Sequence, residues 1–112
     1  MAEWTLRQAQ QVVDEWVQTQ GGYWSSLAIM AQIAEETGEV ARLINHLSGE
    51  KPKKPQESEQ ELGAELCDLL YAMLCLANLH GVDMQTSFEA VIEKYVNRDD
   101  GRFLNKHTRG GG

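Results

Sequence analysis

Apolar residues recur at intervals of three and four along almost the whole chain and nowhere alternate with polar ones at a period of two, so the sequence predicts helices and no sheet. Four helices follow from that spacing. The first covers about Thr5 to Thr19, with Leu6, Val12, Val13, Trp16 and Val17 as its apolar residues and Trp16 expected in the core. Gly21 and Gly22 end it, because a residue without a Cβ leaves a helix through positive φ at no steric cost. The second helix begins near Ser25 or Ser26, either of whose hydroxyls can cap free backbone amides, and runs to about Leu47 before Gly49. Gly49 to Glu57, with two prolines and three lysines, is a polar loop. The third helix opens at Ser58 with Glu61 three residues on, a capping-box pattern, and continues to about His80 before Gly81. Asp83 caps the fourth, which carries Phe88, Val91, Ile92 and Tyr95 and ends near Asn97 or Arg98. The two middle helices span roughly 22 residues, ~33 Å, and the loop between them is short enough to make them antiparallel neighbours. The expected fold is therefore all-α, a bundle of about four helices with two long central antiparallel ones.

Composition narrows the function. At 112 residues with 42% apolar content the chain holds one domain with a modest core, which a second chain would enlarge. That domain is expected over residues 1–103, with 104–112 a polar, flexible tail ending in three glycines. A net charge of -7 argues against nucleic acid or an anionic membrane surface as the main partner. A polyphosphate ligand would need metal ions between itself and such a chain. Cys67 and Cys75 lie eight residues apart on one helix, about 12 Å along its axis, too far for a mutual disulfide, so both fit a buried role in a reducing cytosol. There is no signal-peptide core, and no run is expected to approach the ~20 apolar residues of a membrane span. A cytoplasmic location is the expectation.

The chemistry is carried by acids in unexpected places. On the second helix Ile29, Ile33, Val40, Leu43 and Leu47 form one apolar stripe, and Glu36 falls on it, with Glu39 three residues on. On the third, the stripe Leu62, Leu66, Leu69, Met73 and Leu76 contains Glu65, with Asp68 three residues on, beside Ala64, Ala72 and Cys75. Each helix turns an i, i+3 pair of carboxylates toward the side that should be covered, and antiparallel partners can bring both pairs to one point. Four carboxylates brought together resist desolvation and repel one another. A divalent cation removes both penalties, and an all-oxygen donor set selects a hard ion, Mg²⁺ first and Mn²⁺ as a substitute. The bland alternative is four solvent-facing acids paired with lysine or arginine.

The string Glu35-Glu36-Thr37-Gly38-Glu39, followed by Glu65-Leu66-Cys67-Asp68, resembles the EExxE and ExxD motif pair of the MazG-like family of all-α nucleoside triphosphate pyrophosphohydrolases, in its short single-domain YpjD type. The similarity extends from about Tyr23 to Phe103, through the Gly49-Glu50-Lys51-Pro52-Lys53-Lys54 loop and Lys94-Tyr95-Val96-Asn97-Arg98-Asp99. The resemblance implies that Glu36, Glu39, Glu65 and Asp68 are metal ligands and that Glu35 orients or deprotonates the attacking water. It implies hydrolysis of the α-β bridge of a nucleoside triphosphate to a monophosphate and pyrophosphate, in the service of clearing the nucleotide pool. It also implies homodimers or homotetramers whose helices pack across subunits and complete a nucleotide pocket.

Beside that reading, Lys94 and Arg98 are four apart on one helix face and, with Asn97, either bind phosphate oxygens or are a solvated helix end. Lys51, Lys53 and Lys54 are a phosphate clamp or a solvated loop. Trp24, Tyr23 and Trp4 either stack on a base or pack. His46, His80 and His107 have no partner at a useful spacing. A di-iron or di-manganese carboxylate bundle is disfavoured by the lack of Glu-x-x-His steps, and a P-loop is absent. A non-catalytic helical dimerisation module holding a structural cation is the competing reading.

Overall fold

The computed structural model describes residues 3–48 and 59–108. The lysine-rich loop with Lys51, Lys53 and Lys54, the Ser58 cap and residues 109–112 lie outside them. Among the described residues there are four helices and no strand: α1 (Leu6–Thr19), α2 (Ser26–Leu47), α3 (Glu59–Leu79) and α4 (Met84–Thr108). The all-α expectation holds.

The helix starts follow local chemistry. Thr5 accepts from the Gln8 amide while Gln8 reaches back to the Thr5 amide, a reciprocal cap in front of α1. Ser25, of the two candidate serines, caps α2 through the Ala28 amide. Asp83 accepts from the amides of Gln85 and Thr86 at the start of α4. Gly21 and Gly22, at φ of 98° and 103°, turn the chain out of α1 as expected.

Three expectations are corrected. Helix α4 does not end at Asn97 or Arg98 but runs to Thr108, through Gly101. A lone glycine costs a helix interior about 1 kcal/mol, which weakens it without stopping it. Trp16 is 54% exposed rather than core, because the side of α1 that meets α3 is set by Gln10, Val13 and Val17. Finally, the stretch Glu61–Leu79 is long and apolar enough to cross a membrane, with a mean hydropathy of 1.5 over 19 residues.

Helix α3 has the composition of a helix covered on several sides, and the chain covers only some of them. Its extensive contact is with α2, then with α1, while α4 packs on α1. Ile29 and Leu43 of α2 are the largest fully buried side chains, each worth about 1.5–3 kcal/mol of apolar burial. Val17, Ile29 and Cys75 form a buried cluster, with Val13, Tyr23, Ile33, Tyr71 and Leu76 against it. Leu66, Leu70 and Met73 of α3, by contrast, are exposed together with Phe88, Val91, Ile92, Tyr95 and Val96 of α4. Cys67 is exposed as well, so of the two thiols only Cys75 has the buried place expected for both.

Candidate metal centre and the cavity beside it

The face that α3 presents to α2 is centred on its acids and on Ala72, not on the leucine stripe that the sequence suggested. At 100° per residue, Glu65 and Asp68 stand about 20° and 40° to either side of Ala72, whereas Leu66 and Met73 lie about 100° or more away. Ala72 is fully buried and Leu66 and Met73 are exposed, as those angles require. On α2, Glu36 holds the middle of the stripe and Glu39 lies about 60° to the side.

Three of the four expected ligands consequently meet. Glu36, Glu65 and Asp68 each offer a carboxylate oxygen, and these oxygens all lie within 4.8 Å of one another. Glu36 and Glu65 are half-buried and Asp68 is exposed. Glu39 stays outside the cluster, exposed, its Oε2 3.5 Å from Nε of Arg42 on its own helix. Partial burial, and then repulsion from Asp68, Glu65, Glu35 and Glu39 in that order, push the Glu36 carboxyl above its ordinary pKa. Glu35 is exposed on the flank of α2.

The donor set fits a small hard cation. Oxygens on opposite sides of Mg²⁺ are about 4 Å apart and adjacent ones about 3 Å, so carboxylates within 4.8 Å need only small rotamer changes to share one ion. Asp68, exposed, keeps the outer side of the cluster open to solvent.

Beside the acids the helices leave two neighbouring hollows. One, of about 290 Å³, is lined by Trp24, Ala28, Ala31, Gln32, Glu35 and Glu36. The other, of about 170 Å³, lies deeper between the end of α1, the α1–α2 turn and α3, with Tyr23, Ile29, Tyr71 and Cys75 in its walls. Trp24 and Gln32 line both. Burial raises the pKa of Cys75 and of Tyr71, whose hydroxyl is further raised by a hydrogen bond with the Cys75 thiol. Both groups stay neutral near pH 7, and the deep hollow is uncharged.

Of the expected substrate contacts, Trp24 is therefore at the acids' edge, 63% exposed at the mouth of the hollows. Lys94, Asn97 and Arg98 line neither hollow, and the Arg98 guanidinium lies over the Tyr95 ring of its own helix at 5.1 Å. Lys54 lies outside the described residues. Gln32 was missed by the sequence reading, although it stands four residues before Glu36 at the edge of the α2 stripe, where a polar side chain could have marked it.

A second polar cluster was also missed. Gln10 is buried, its Nε2 donating to Asn78 Oδ1 at 2.9 Å and to the Val82 carbonyl at 2.8 Å, its Oε1 accepting from the Met84 amide at 2.8 Å. Asn78 Nδ2 donates to the Gln10 carbonyl at 3.0 Å and to the Tyr23 hydroxyl at 2.9 Å, and that hydroxyl donates to Asp14 at 2.6 Å. Burial first, then the hydrogen bond to the Asp14 carboxylate, push the Tyr23 phenol up to about 12.

The sequence and the four-helix fold both recur in known proteins. Residues 24–103 match the family described as the MazG nucleotide pyrophosphohydrolase domain. The chain is 38% identical over 107 residues to the uncharacterized protein YpjD of Bacillus subtilis (strain 168), covering 95% of this chain and 96% of that one. The crystal structure of YpjD from Bacillus subtilis, a candidate pyrophosphatase, superposes with a TM-score of 0.76 over 85% of this chain and 98% of that chain. That of the Bacillus-conserved MazG protein, a nucleotide pyrophosphohydrolase, does so with a TM-score of 0.72 at 35% identity, over 85% and 93% of the two chains. This chain belongs to the MazG nucleotide pyrophosphohydrolase family.

Proposed function

We propose that this chain is a Mg²⁺-dependent nucleoside triphosphate pyrophosphohydrolase. The observation that carries the reading is the convergence of Glu36, Glu65 and Asp68 from two helices, with like charges held within 4.8 Å. Such a cluster is costly until a cation joins it. Glu36, Glu65 and Asp68 hold the ion, Mn²⁺ being the substitute, and Glu39 joins by swinging away from Arg42. The ion, when bound, neutralises charge on the phosphate oxygens and eases deprotonation of a nearby water.

Glu35, beside the hollow, orients that water and takes its proton. The water oxygen bonds to the α-phosphorus, the bridge to the β-phosphorus breaks, and pyrophosphate leaves with the bridging oxygen. Trp24 stacks on the base at the mouth of the uncharged hollow.

The working unit is a homodimer or a dimer of dimers. The exposed apolar residues of α3 and α4 favour this, since a lone soluble chain rarely leaves so many together. The radius of gyration, 17.8 Å, also exceeds the ~13 Å of a compact chain of this length. Lys94, Asn97 and Arg98, which line neither hollow of their own chain, bind the phosphates held by a second copy. Lys54 assists from the loop. Two free cysteines suit a reducing cytoplasm.

The test is release of pyrophosphate, measured separately from orthophosphate, across standard, deoxy and damaged nucleoside triphosphates with Mg²⁺. Activity is expected on at least one and is expected to vanish in excess chelator and in Glu36→Gln or Asp68→Asn. Metal binding without turnover on any nucleotide would instead favour the non-catalytic module.

A further inference from the structure

The polar cluster around Gln10 is absorbed neither by the metal centre nor by the hydrophobic core. It joins α1 through Gln10 and Asp14, the α1–α2 turn through Tyr23, the end of α3 through Asn78, and the start of α4 through Val82 and Met84. No buried side-chain polar atom among the described residues is left without a partner. Apolar side chains at Gln10, Asn78 and Tyr23 would join two helices at least as firmly, so stability alone does not explain the cluster.

Its outer end suggests what it does. Tyr23 follows Gly21 and Gly22, both at positive φ and both with nothing within 4 Å of where a side chain would be. Backbone bonds from the Gly21 and Gly22 amides to Gln18 and Val17 hold the start of the turn, and Ser25 fixes its end as the cap of α2. Between them Tyr23 is pinned through its hydroxyl by Asp14 and Asn78. The next residue is Trp24, which projects at the mouth of both hollows and has no helix of its own to orient it.

We propose that Gln10 and Asn78 are positioning residues for nucleotide binding: through the Tyr23 hydroxyl they hold the Gly21–Trp24 turn so that the Trp24 ring stands over the hollow beside Glu35 and Glu36. The inference rests on the reading of Trp24 as a base contact. Asn78 makes the decisive link, since it alone bonds both Gln10 and Tyr23. Gln10 supports it from the side, and its bond to the Met84 amide ties the start of α4 to the same frame.

Binding and turnover separate this proposal from the hydrolase reading. A background of Trp4→Phe and Trp16→Phe leaves Trp24 as the only tryptophan, and its fluorescence is titrated with non-hydrolysable α,β-methylene analogues of the deoxynucleoside triphosphates in Mg²⁺. Tyr23→Phe, which removes a single oxygen, and Asn78→Ala are each expected to weaken analogue binding about tenfold. In the otherwise native chain they should raise KM similarly with kcat within about twofold, while Mg²⁺ affinity measured alone is unchanged. Asn78→Gln, which keeps the carboxamide, should recover part of the loss. If Asn78→Ala does not fold, Tyr23→Phe decides alone. Unchanged analogue affinity with lowered thermal stability would reduce the cluster to a structural role and overturn the proposal, as would a wild-type chain that binds none of the analogues. Analogue binding that depends on Tyr23, with no turnover of any nucleotide, would sustain the positioning role while sinking the hydrolase.

Discussion

Glu36 of α2 and Asp68 of α3 bring carboxylate oxygens within 4.8 Å of one another across a helix interface, and a Glu65 oxygen lies within that same limit of both. Among the described residues no lysine or arginine forms an ion pair with these three acids. The only ion pair of these motifs among the described residues is Glu39 with Arg42, on the flank. Folding therefore works against repulsion at this point, and a divalent ion should reverse the sign.

Mg²⁺ should accordingly raise the melting temperature. At a hundred times its dissociation constant an ion that binds only the folded state adds about 2.7 kcal/mol, on the order of 10 °C for a chain of this size. Glu36→Gln should lose that increment yet melt no lower than the wild type in chelator, since it removes a like charge. Calorimetry in chelator and in millimolar Mg²⁺ checks both halves. A mutant that melts well below the wild type without metal would show that Glu36 stabilises the fold by some other contact.

Glu39 should behave differently from its motif partners. It lies about 60° round α2 from Glu36 and must leave Arg42 to reach an ion. Glu39→Gln should raise the Mg²⁺ concentration needed for half-maximal activity by roughly tenfold, about 1.4 kcal/mol, and leave turnover at saturating metal. Glu36→Gln should leave none at any concentration. Equal, complete loss in both would make Glu39 a ligand of the same standing.

These two cases mark how far the sequence could be read. Glu36 sits on an unambiguous apolar stripe because α2 has a single covered side, and its place at the interface follows from the period alone. Helix α3 is apolar nearly all round, so several stripes can be drawn through it, and the one through Leu66 and Met73 turned out to be an exposed face. Periodicity finds the covered side of a helix only when the other side is polar. Trp16 was misplaced because α1 uses Gln10 in its buried face, a residue that no hydrophobic pattern selects. The Gln10–Asn78–Tyr23 cluster joins residues far apart in sequence through side-chain amides, which carry no periodic signal. Lys94 and Arg98 were legible as a cationic face, but periodicity along one helix carries no information on which acids such a face serves.

The exposed apolar surface gives a prediction about assembly. Met73 and Phe88 are 37% and 52% exposed in the single chain. Neither should matter much to a monomer when changed to a polar residue. If α3 and α4 are covered by a second copy, Met73→Glu or Phe88→Glu buries a charge without a partner and should shift the protein to monomer in sedimentation equilibrium. Activity should fall with the dimer, because Lys94, Asn97 and Arg98 lose the acids they serve. Mixing an inactive Glu36→Gln dimer with an inactive Lys94→Ala/Arg98→Ala dimer should then restore part of the activity, since one site in the mixed dimer has both intact halves. No recovery after subunit exchange would place those cations with their own chain's acids.

Alkaline stability tests the Tyr23 contacts directly. In the fold its hydroxyl must donate to the Asp14 carboxylate, so ionising it would set two negative oxygens 2.6 Å apart in a half-buried place. Its pKa is accordingly raised from 10.0 to about 12. The unfolded chain gives up this proton more readily than the folded one, so the contribution is fully present below pH 10 and is lost as pH rises through the folded value near 12. Unfolding by urea at intervals from pH 9 to 12.5 should therefore show the wild type losing stability more steeply than Tyr23→Phe between about pH 10 and 12. Below pH 9 the two curves should run parallel, offset by the cost of the lost hydrogen bonds. Other groups that change charge in this range do so in both proteins and largely cancel in the difference. Asn78→Ala should act the other way on the phenol itself: Asn78 donates to that oxygen and favours its ionised form, so removing the donor should move the Tyr23 titration, followed by ultraviolet absorbance, still higher. Parallel stability curves throughout would mean that Asp14 does not hold the phenol in solution, and the support for the Trp24 turn would have to be sought elsewhere.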